Sequence, residues 1–168
     1  VTIPHLALCL PLDSVSMLAS SLEMRIVRRG AAPLGGGEIF FRAPLIAALR
    51  PLNFVEPGRI RKIRGIASAV RVSPQMSNRM IDAARSVLNR YIPDLYLFSD
   101  VYRGDESGKS PGFAMSLVAT STTGAMHASE TTSLPGQTPE DVGLLTARSL
   151  LASIESGGCV DAMHQPLI

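Results

Sequence analysis

The chain has 168 residues, of which 46% are hydrophobic and 18% are charged, and this balance argues against intrinsic disorder. It has no apolar run of membrane-spanning length and no basic start before an apolar stretch, so neither a membrane span nor a secretory signal is predicted. Two cysteines make no disulfide framework. Cys9 and Cys159 could pair, but this cysteine usage favours a reducing compartment.

The net charge of +2 hides an uneven distribution along the chain. Positions 1–71 hold ten Arg or Lys residues against four acids, whereas positions 72–168 hold six against ten. Such an uneven charge distribution suits a protein with one surface that binds an anion and another that binds a different partner. RNA is the obvious anion, although many globular proteins are equally uneven by chance.

The first regular elements are two short strands joined by a turn. Residues 22–27 alternate in hydropathy, as a half-buried strand does. The turn-rich stretch 28–37 leads to a second strand over 38–42. Three prolines then indicate the crossing into another domain: Pro44, Pro51 and Pro57.

A basic strand followed by an amphipathic helix comes next. The strand is predicted over 59–72 and the helix over 74–91, with Pro93 as its stop. Ser73 is suited to accept a hydrogen bond from the free N–H groups of the helix, and Pro74 suits the first helical position. Apolar residues recur at the spacing of one buried helical face: Met76, Met80, Ile81, Ala84, Val87, Leu88 and Tyr91.

Three further strands and a second helix complete the pattern. The strands are expected near 94–101, 112–120 and 124–130. Thr138 and Asp141 have the spacing of a capping box, which opens the helix that Gly157 ends. Its predicted apolar stripe is Leu144, Ala147, Leu151 and Ile154. Four strands and two helices predict a small α/β layer structure.

Two glycine-containing motifs resemble phosphate-binding loops. The first, Gly108-Lys109-Ser110, lacks the required glycine at position 103, and Pro111 would obstruct the helix that must follow. A turn between strands explains it better. The second, residues 35–38, could let a ligand approach the backbone, but a turn that needs positive φ is the favoured interpretation. Arg28 and Arg29 would supply the charges of an anion site there.

The best argument for RNA is a cluster of cations on the third strand. Long cationic side chains that converge on one surface bind phosphates with salt-dependent affinity. A solvated strand edge is the alternative, and imperfect alternation means that the charges do not all face one way. No aromatic residues lie between the cations, which argues against a reader of single strands. The members are Arg59, Arg61, Lys62, Arg64 and, further along, Arg71.

No catalytic group and no cofactor or metal site can be named from the sequence. His5 and Cys9 are four residues apart, as are Asp161 and Gln165, but two ligands at helical spacing do not make a zinc site. No nucleophile, base and acid occur together in a supporting motif.

Five motifs are spread over roughly residues 22–165: Arg28-Arg-Gly-Ala-Ala-Pro-Leu-Gly-Gly-Gly-Glu38, Arg64-Gly-Ile-Ala, the run RVSPQMSNRMIDAARSVLNRYIPDLYLFSD from Arg71 to Asp100, Gly108-Lys-Ser-Pro-Gly-Phe113, and Gly157-Gly-Cys-Val-Asp161 followed by Gln165. Together these motifs resemble the non-cyclase, cyclase-like branch of the RNA 3′-terminal phosphate cyclase family. The spacing after Val160 departs from the cyclase pattern, which carries a second Asp before Gln165, and this departure also favours the non-cyclase branch.

The resemblance implies an α+β fold in which a large domain of repeated two-helix, four-stranded units carries an inserted small α/β domain. Residues 1–55 would be the C-terminal part of a large-domain unit, 56–157 the insert, and 158–168 the truncated return to the large domain. A vestigial anion site near the glycine run of the large domain would fit the same resemblance.

The resemblance also implies a function. Members of this branch are nucleolar proteins of the small-subunit processome that act in early pre-rRNA processing without cyclase activity and bind a large ribosome-assembly GTPase. An endoribonuclease role has been proposed for the branch, and the residues present neither support nor exclude it. The alternative is an authentic ATP-dependent RNA 3′-terminal phosphate cyclase. A simple protein-binding platform is a third interpretation, compatible with the first.

Overall fold

The computed structural model of the chain describes residues 23–43, 45 and 55–161. Its first element is an antiparallel hairpin of β1 (Glu23–Arg28) and β2 (Glu38–Arg42). Positions 24 and 26 are the half-buried ones in β1, as the predicted alternation requires. Position 22, the expected start of this strand, lies outside the described residues.

A four-stranded sheet with two helices follows the hairpin. The predicted set of four strands and two helices is confirmed here, with each boundary displaced by three residues or fewer. A single 3-10 turn, Gly104–Glu106, lies after the second strand of the sheet. The elements are β3 (Ile60–Val70), α1 (Gln75–Leu88), β4 (Leu95–Tyr102), β5 (Gly112–Ser121), β6 (Met126–Thr132) and α2 (Pro139–Glu155).

The sheet is mixed, with the strand order β4-β3-β5-β6. β3 and β4 are parallel and are joined through α1, which is the crossover that a parallel pair needs. β5 pairs antiparallel with both β3 and β6. β4 therefore lies at one edge of the sheet, next to the basic strand β3.

Both helices pack on the same face of this sheet and enclose an aliphatic core. Ile63, Met115 and Leu117 point from the strands toward the fully buried side chains of Met80 and Leu150 in the two helices. Alternate residues of each strand point to the opposite face, since side chains in a strand alternate. The arrangement confirms the predicted α+β fold class.

The junction between β3 and α1 differs in detail from the prediction. β3 ends at Val70 because Arg71 adopts a left-handed conformation, with φ of 53°. The Ser73 hydroxyl accepts a hydrogen bond of 3.3 Å from the N–H of Gln75, the first helical residue. Pro74 therefore immediately precedes the helix and does not occupy its first position.

The buried face of α1 is close to the predicted one, but the helix is shorter. It ends at Leu88, and a turn over 89–91 replaces the expected last helical residues. Tyr91 is 67% exposed and so does not belong to the buried face. The buried residues of the helix are Ser77, Met80, Ile81, Ala84 and Leu88.

The second helix begins with the predicted capping box. The Thr138 hydroxyl accepts the N–H of Asp141 (3.2 Å), and the Asp141 carboxylate accepts the N–H of Thr138 (3.1 Å). The hydrogen bond that the Thr138 hydroxyl donates to the Asp141 carboxylate (2.6 Å), and then the one from the Thr138 N–H, hold the pKa of Asp141 below its ordinary value. Pro139 occupies the first turn, where a missing N–H costs nothing.

The buried face of α2 is rotated relative to the predicted stripe. Of the four predicted residues only Ala147 is fully buried, while Leu151 and Ile154 lie at the margin of the core. Val142, Gly143, Thr146 and Leu150 are buried as well, and Gly143 lies where α2 packs closely on α1. Neither helix in the described ranges is long and apolar enough to span a membrane.

Candidate nucleic-acid interface

The seven cations singled out from the sequence are placed at opposite ends of β3. Arg61, Lys62 and Arg64 lie near its start, and Arg28, Arg29 and Arg71 lie near its end. The remaining one, Arg59, precedes β3, where its main chain is hydrogen-bonded to Thr122. At about 3.3 Å per residue, roughly 20 Å of strand separates the two groups, so they do not form one continuous site.

Arg64 is the most constrained member of the first group. Its Nη1 lies 2.9 Å from the carboxylate of Asp94 and donates to the main-chain oxygens of Ile63 (2.8 Å) and Asp94 (3.2 Å). Its guanidinium also lies over the ring of Tyr96, 4.9 Å from the ring centroid. Four contacts therefore fix the position of this side chain.

Asp94 is the acid around which the first group of cations assembles. The hydrogen bond from Arg64 is the main reason that the pKa of Asp94 lies below its ordinary value, and the charges of Arg64, Lys62 and Arg61 lower it further. Asp94 therefore remains ionised at neutral pH. We refer to Arg61, Lys62 and Arg64 as the basic cluster, of which Arg64 contacts the Asp94 carboxylate.

A bulge in β3 explains the imperfect alternation of its cations. The register with β5 shifts between Ile60 and Lys62, so one extra residue, Arg61, is exposed on the strand. Ile60 and Ile63 both point toward the core on the helical side. Lys62 and Arg64 thus share the face of the sheet opposite α1 and α2, which we call the open face.

Two exposed aromatic rings lie beside the basic cluster and were missed by the sequence analysis. Tyr96 and Phe98 of β4 are 59% and 55% exposed, and their ring centroids are 6.3 Å apart with 24° between the ring planes. The parallel register places Tyr96 next to Arg64. The signal was present in the alternation of β4, where Leu97 is buried between the two exposed rings.

The second group of cations holds the loop between β4 and β5. Arg28 Nε donates to the main-chain oxygen of Asp105 (3.0 Å), and Arg71 Nε donates to that of Gly108 (2.6 Å). The main chain of Arg29 forms two more bonds to this loop, with Glu106 and Gly108. These side chains and main-chain groups attach the hairpin to the end of the sheet.

A cavity of about 630 Å³ lies between the hairpin turn and the sheet, and Arg29 lines it. Arg29 is 8% exposed, and its Nε has no hydrogen-bond partner. Its guanidinium lies over the ring of Tyr102, 5.1 Å from the centroid, and its Nη2 is 4.0 Å from the Asp100 carboxylate. Burial, and then the hydrogen bond to Asp100, raises the pKa of Tyr102.

The two glycine motifs meet at this cavity as turns. Gly35 and Gly36 have φ of 61° and 78°, which confirms the interpretation as a turn with positive φ. The N–H of Lys109 donates to the oxygen of Gly35 (3.1 Å), and Gly108 donates to the oxygen of Arg29 (2.7 Å). No helix follows Lys109, so the predicted turn between strands is confirmed.

None of the described residues forms a metal site, and Cys159 is a free cysteine. Within these ranges no three His, Cys, Asp or Glu side chains are grouped to hold a metal ion. Asp161 accepts the N–H of Ala128 (2.6 Å). His127 is 3% exposed and bonds to Ser153 (3.1 Å) between sheet and helix. The other residues weighed as metal or disulfide partners lie outside the described residues: His5, Cys9 and Gln165.

The family comparison covers the sheet and both of its helices. Residues 55–155 match the insert domain of RNA 3′-terminal phosphate cyclase (RTC).

Individual relatives match a longer part of the chain. It is 51% identical over 152 residues to the RNA 3′-terminal phosphate cyclase-like proteins of Homo sapiens and Bos taurus, which covers 88% of this chain and 41% of each relative. It is also 51% identical over 150 residues to the rRNA processing protein rcl1 of Schizosaccharomyces pombe, covering 89% of this chain and 41% of that protein. The chain therefore spans about two fifths of the length of these relatives.

Proposed function

Because the chain belongs to the RNA 3′-terminal phosphate cyclase family, we propose that it is part of an rRNA-processing protein of small-subunit ribosome assembly. The observation that carries the proposal is the 51% identity to a fission yeast protein named for rRNA processing. The same identity to cyclase-like proteins of two mammals supports it. The protein acts in early pre-rRNA cleavage within the small-subunit processome, in the nucleolus.

We also propose that the full-length protein binds a large ribosome-assembly GTPase and has no cyclase activity. The non-cyclase assignment is supported by the spacing of Val160, Asp161 and Gln165, which departs from the cyclase pattern. It is also supported by the names of the relatives, which are cyclase-like proteins. The described residues supply positioned cations, which fits a role in binding.

The basic cluster is the part of this chain that we assign to RNA. Lys62 and Arg64 point to the same open face, and Arg61 is exposed beside them at the bulge. Cations in this arrangement contact phosphates independently of sequence and release counterions when they bind. Arg28, Arg29 and Arg71 remain candidates for anion contact, although each is also engaged with the loop at the other end of β3.

Charge reversal in the full-length protein tests the RNA contact. Arg61→Glu with Lys62→Glu is expected to weaken cosedimentation with preribosomal particles and to lower the salt dependence of RNA binding, because phosphate contacts are lost. Arg90→Glu with Arg148→Glu makes the same change of net charge on the helical side and is the matched control. If both double variants weaken RNA binding equally, the basic cluster does not form the RNA contact.

A labelling experiment separates this function from the cyclase alternative. Cyclases attach AMP from ATP covalently before they activate an RNA 3′-phosphate. Full-length protein incubated with α-labelled ATP is expected to remain unlabelled, while an active cyclase in parallel becomes labelled. Covalent AMP on a histidine of this protein would overturn the proposed function.

A further inference from the structure

The open face of the sheet carries two large aromatic side chains that are more than half exposed in the part of the chain that the structure describes. Both helices pack on the opposite face, and Tyr96 and Phe98 retain 59% and 55% of their exposure. Next along the same face of β4, Asp100 and Tyr102 are contacted by Arg29 from the hairpin. The two rings occupy the other half of the strand, beside the basic cluster.

We propose that Tyr96 and Phe98 form a stacking platform for the unpaired bases of single-stranded RNA, next to the phosphate-binding cluster. The inference rests on the proposed function and adds the class of RNA to it. Exposed aromatic rings on a sheet bind bases through their π-faces, and every base has such a face. The sequence alone argued against this role, because the rings come from a neighbouring strand.

The platform is held in place before any ligand arrives. Arg64 lies over one face of the Tyr96 ring and is itself fixed by Asp94, just before β4, so a base stacks on the ring surface that the guanidinium leaves exposed. Tyr96 in turn lies against Phe98. A ring that is already ordered loses little conformational entropy when a base binds. Less of the favourable stacking energy is therefore offset, and the affinity is higher.

Charge complementarity favours a nucleic acid over an apolar protein segment as the occupant. Arg64 lies over the Tyr96 ring, Lys62 shares the same face of the sheet, and Arg61 is exposed at the bulge beside them. Of the nearby acids, Asp94 is paired with Arg64, and Asp100 accepts a hydrogen bond from Tyr102. A purely apolar partner would supply no counter-charge to Arg61 and Lys62. A phosphate chain supplies that charge while its bases reach the rings.

The spacing of the rings favours single strands over duplex. Their centroids are 6.3 Å apart, nearly twice the roughly 3.4 Å rise between stacked bases along one strand of a duplex. Neighbouring bases therefore reach both rings only where they are not stacked on each other. Bases in double-stranded RNA are paired and stacked, which keeps them from such a surface.

The experiment measures binding of full-length protein to a short unstructured RNA and to a duplex of equal length. Tyr96→Ala and Phe98→Ala are each expected to weaken single-strand binding at least fivefold, which is about the lower limit for loss of one stacked base. Duplex binding should change less than twofold. Tyr96→Phe should restore binding, and a 2-aminopurine base in the RNA should show stacking that the alanine variants lose.

Salt dependence distinguishes the rings from the cations. The alanine variants should shift the plot of affinity against salt without changing its slope, whereas Arg61→Ala with Lys62→Ala should reduce the slope by about 0.7 for each lost phosphate contact on a single strand. Tyr91→Ala, which removes a ring of 67% exposure beyond the end of α1, is the matched control and should have no effect.

Three outcomes would overturn the inference, and they separate it from the proposed function. If Arg61→Ala with Lys62→Ala abolishes RNA binding while Tyr96→Ala and Phe98→Ala bind RNA normally, the stacking platform is wrong and the proposed function remains. If the aromatic variants still bind RNA but no longer bind the GTPase, the two rings form a protein interface and not a platform for bases. If the unmodified protein binds neither RNA nor preribosomal particles, the proposed function fails and the platform fails with it.

Discussion

The main-chain oxygen of Met80 in α1 lies directly against Gly143 in α2, so closely that a β-carbon at Gly143 would overlap it. The side chain of Ala83 is also within 3.1 Å of that β-carbon position. Helix packing at this distance is possible only where one helix presents no side chain. The contact joins the two helices that cover the sheet and therefore sets how closely they pack over the core.

Gly143→Ala should destabilise the protein, although the same substitution on an exposed helical surface stabilises a helix by about 1 kcal/mol. Overpacking at a buried contact costs about 1–3 kcal/mol, so the net effect is a loss of stability. Denaturant unfolding of the purified protein measures it. Ser149→Ala, at an exposed position of α2, should be neutral or slightly stabilising; a stabilised Gly143→Ala protein would show that the helices separate easily.

Thr138→Ala should cost about 0.5–2 kcal/mol of stability, because it removes the hydroxyl that accepts the N–H of Asp141. It also removes the donor of the 2.6 Å bond to the Asp141 carboxylate. Thr138→Ser keeps both interactions and should retain most of the stability. The two variants should differ clearly in thermal unfolding, and equal midpoints would mean that the capping box contributes nothing.

The stability of the protein should fall in acid partly through Asp94. The Arg64 hydrogen bond and the neighbouring cations lower the pKa of Asp94 in the folded state below its ordinary value. A carboxyl group of this kind contributes stability that is complete above its unfolded pKa and is lost as the pH falls through its folded pKa. That window lies below about pH 4.

Asp94→Asn tests this pH dependence. The free energy of unfolding of the variant should lie below that of the unmodified protein at pH 7, and the two should converge as the pH drops below about 4. The same substitution at the exposed Asp82 of α1 is the control. A constant difference between the two proteins from pH 7 to acid would contradict the role of ionised Asp94 in the cluster.

Most of the sheet and helix pattern follows from local signals in the sequence. The capping box at Thr138 is a contact between residues three positions apart, so it is readable without a structure. The buried face of α2 was misplaced because leucines occur in adjacent pairs at 144–145 and 150–151, so hydropathy alone does not decide which of a pair faces the core; Leu150 is fully buried, and the predicted Leu151 is not. In the fold, the closest helix contact buries Gly143, which a hydropathy pattern cannot identify as interior.

The candidate interface depends on contacts that are distant in sequence. Tyr96 reaches Arg64 only because β3 and β4 pair in parallel with one particular register. A strand pairing of that kind is set by the whole core and not by either segment alone. For the same reason, the sequence did not show that Arg28 and Arg71 bind carbonyl oxygens of the loop over 104–110.

The attachment of the hairpin to the sheet should depend on Gly108. A β-carbon there would overlap the main-chain oxygen of Gly35 and approach Gly30, so Gly108→Ala should separate the two turns while leaving the helical core intact. Hydrogen exchange should then accelerate at the amides of Gly108 and Lys109, which bond across this contact. Exchange in the core strand at Ile63 should stay slow.

Gly136→Ala is the matched control for Gly108→Ala, since a β-carbon at Gly136 would meet no atom within 4 Å. Its φ of 86° makes alanine strained there, but the strain is confined to its own turn. Exchange at Gly108 and Lys109 should therefore remain slow in this variant. Equal acceleration in both variants would indicate that the hairpin detaches for reasons unrelated to the close approach of the two turns.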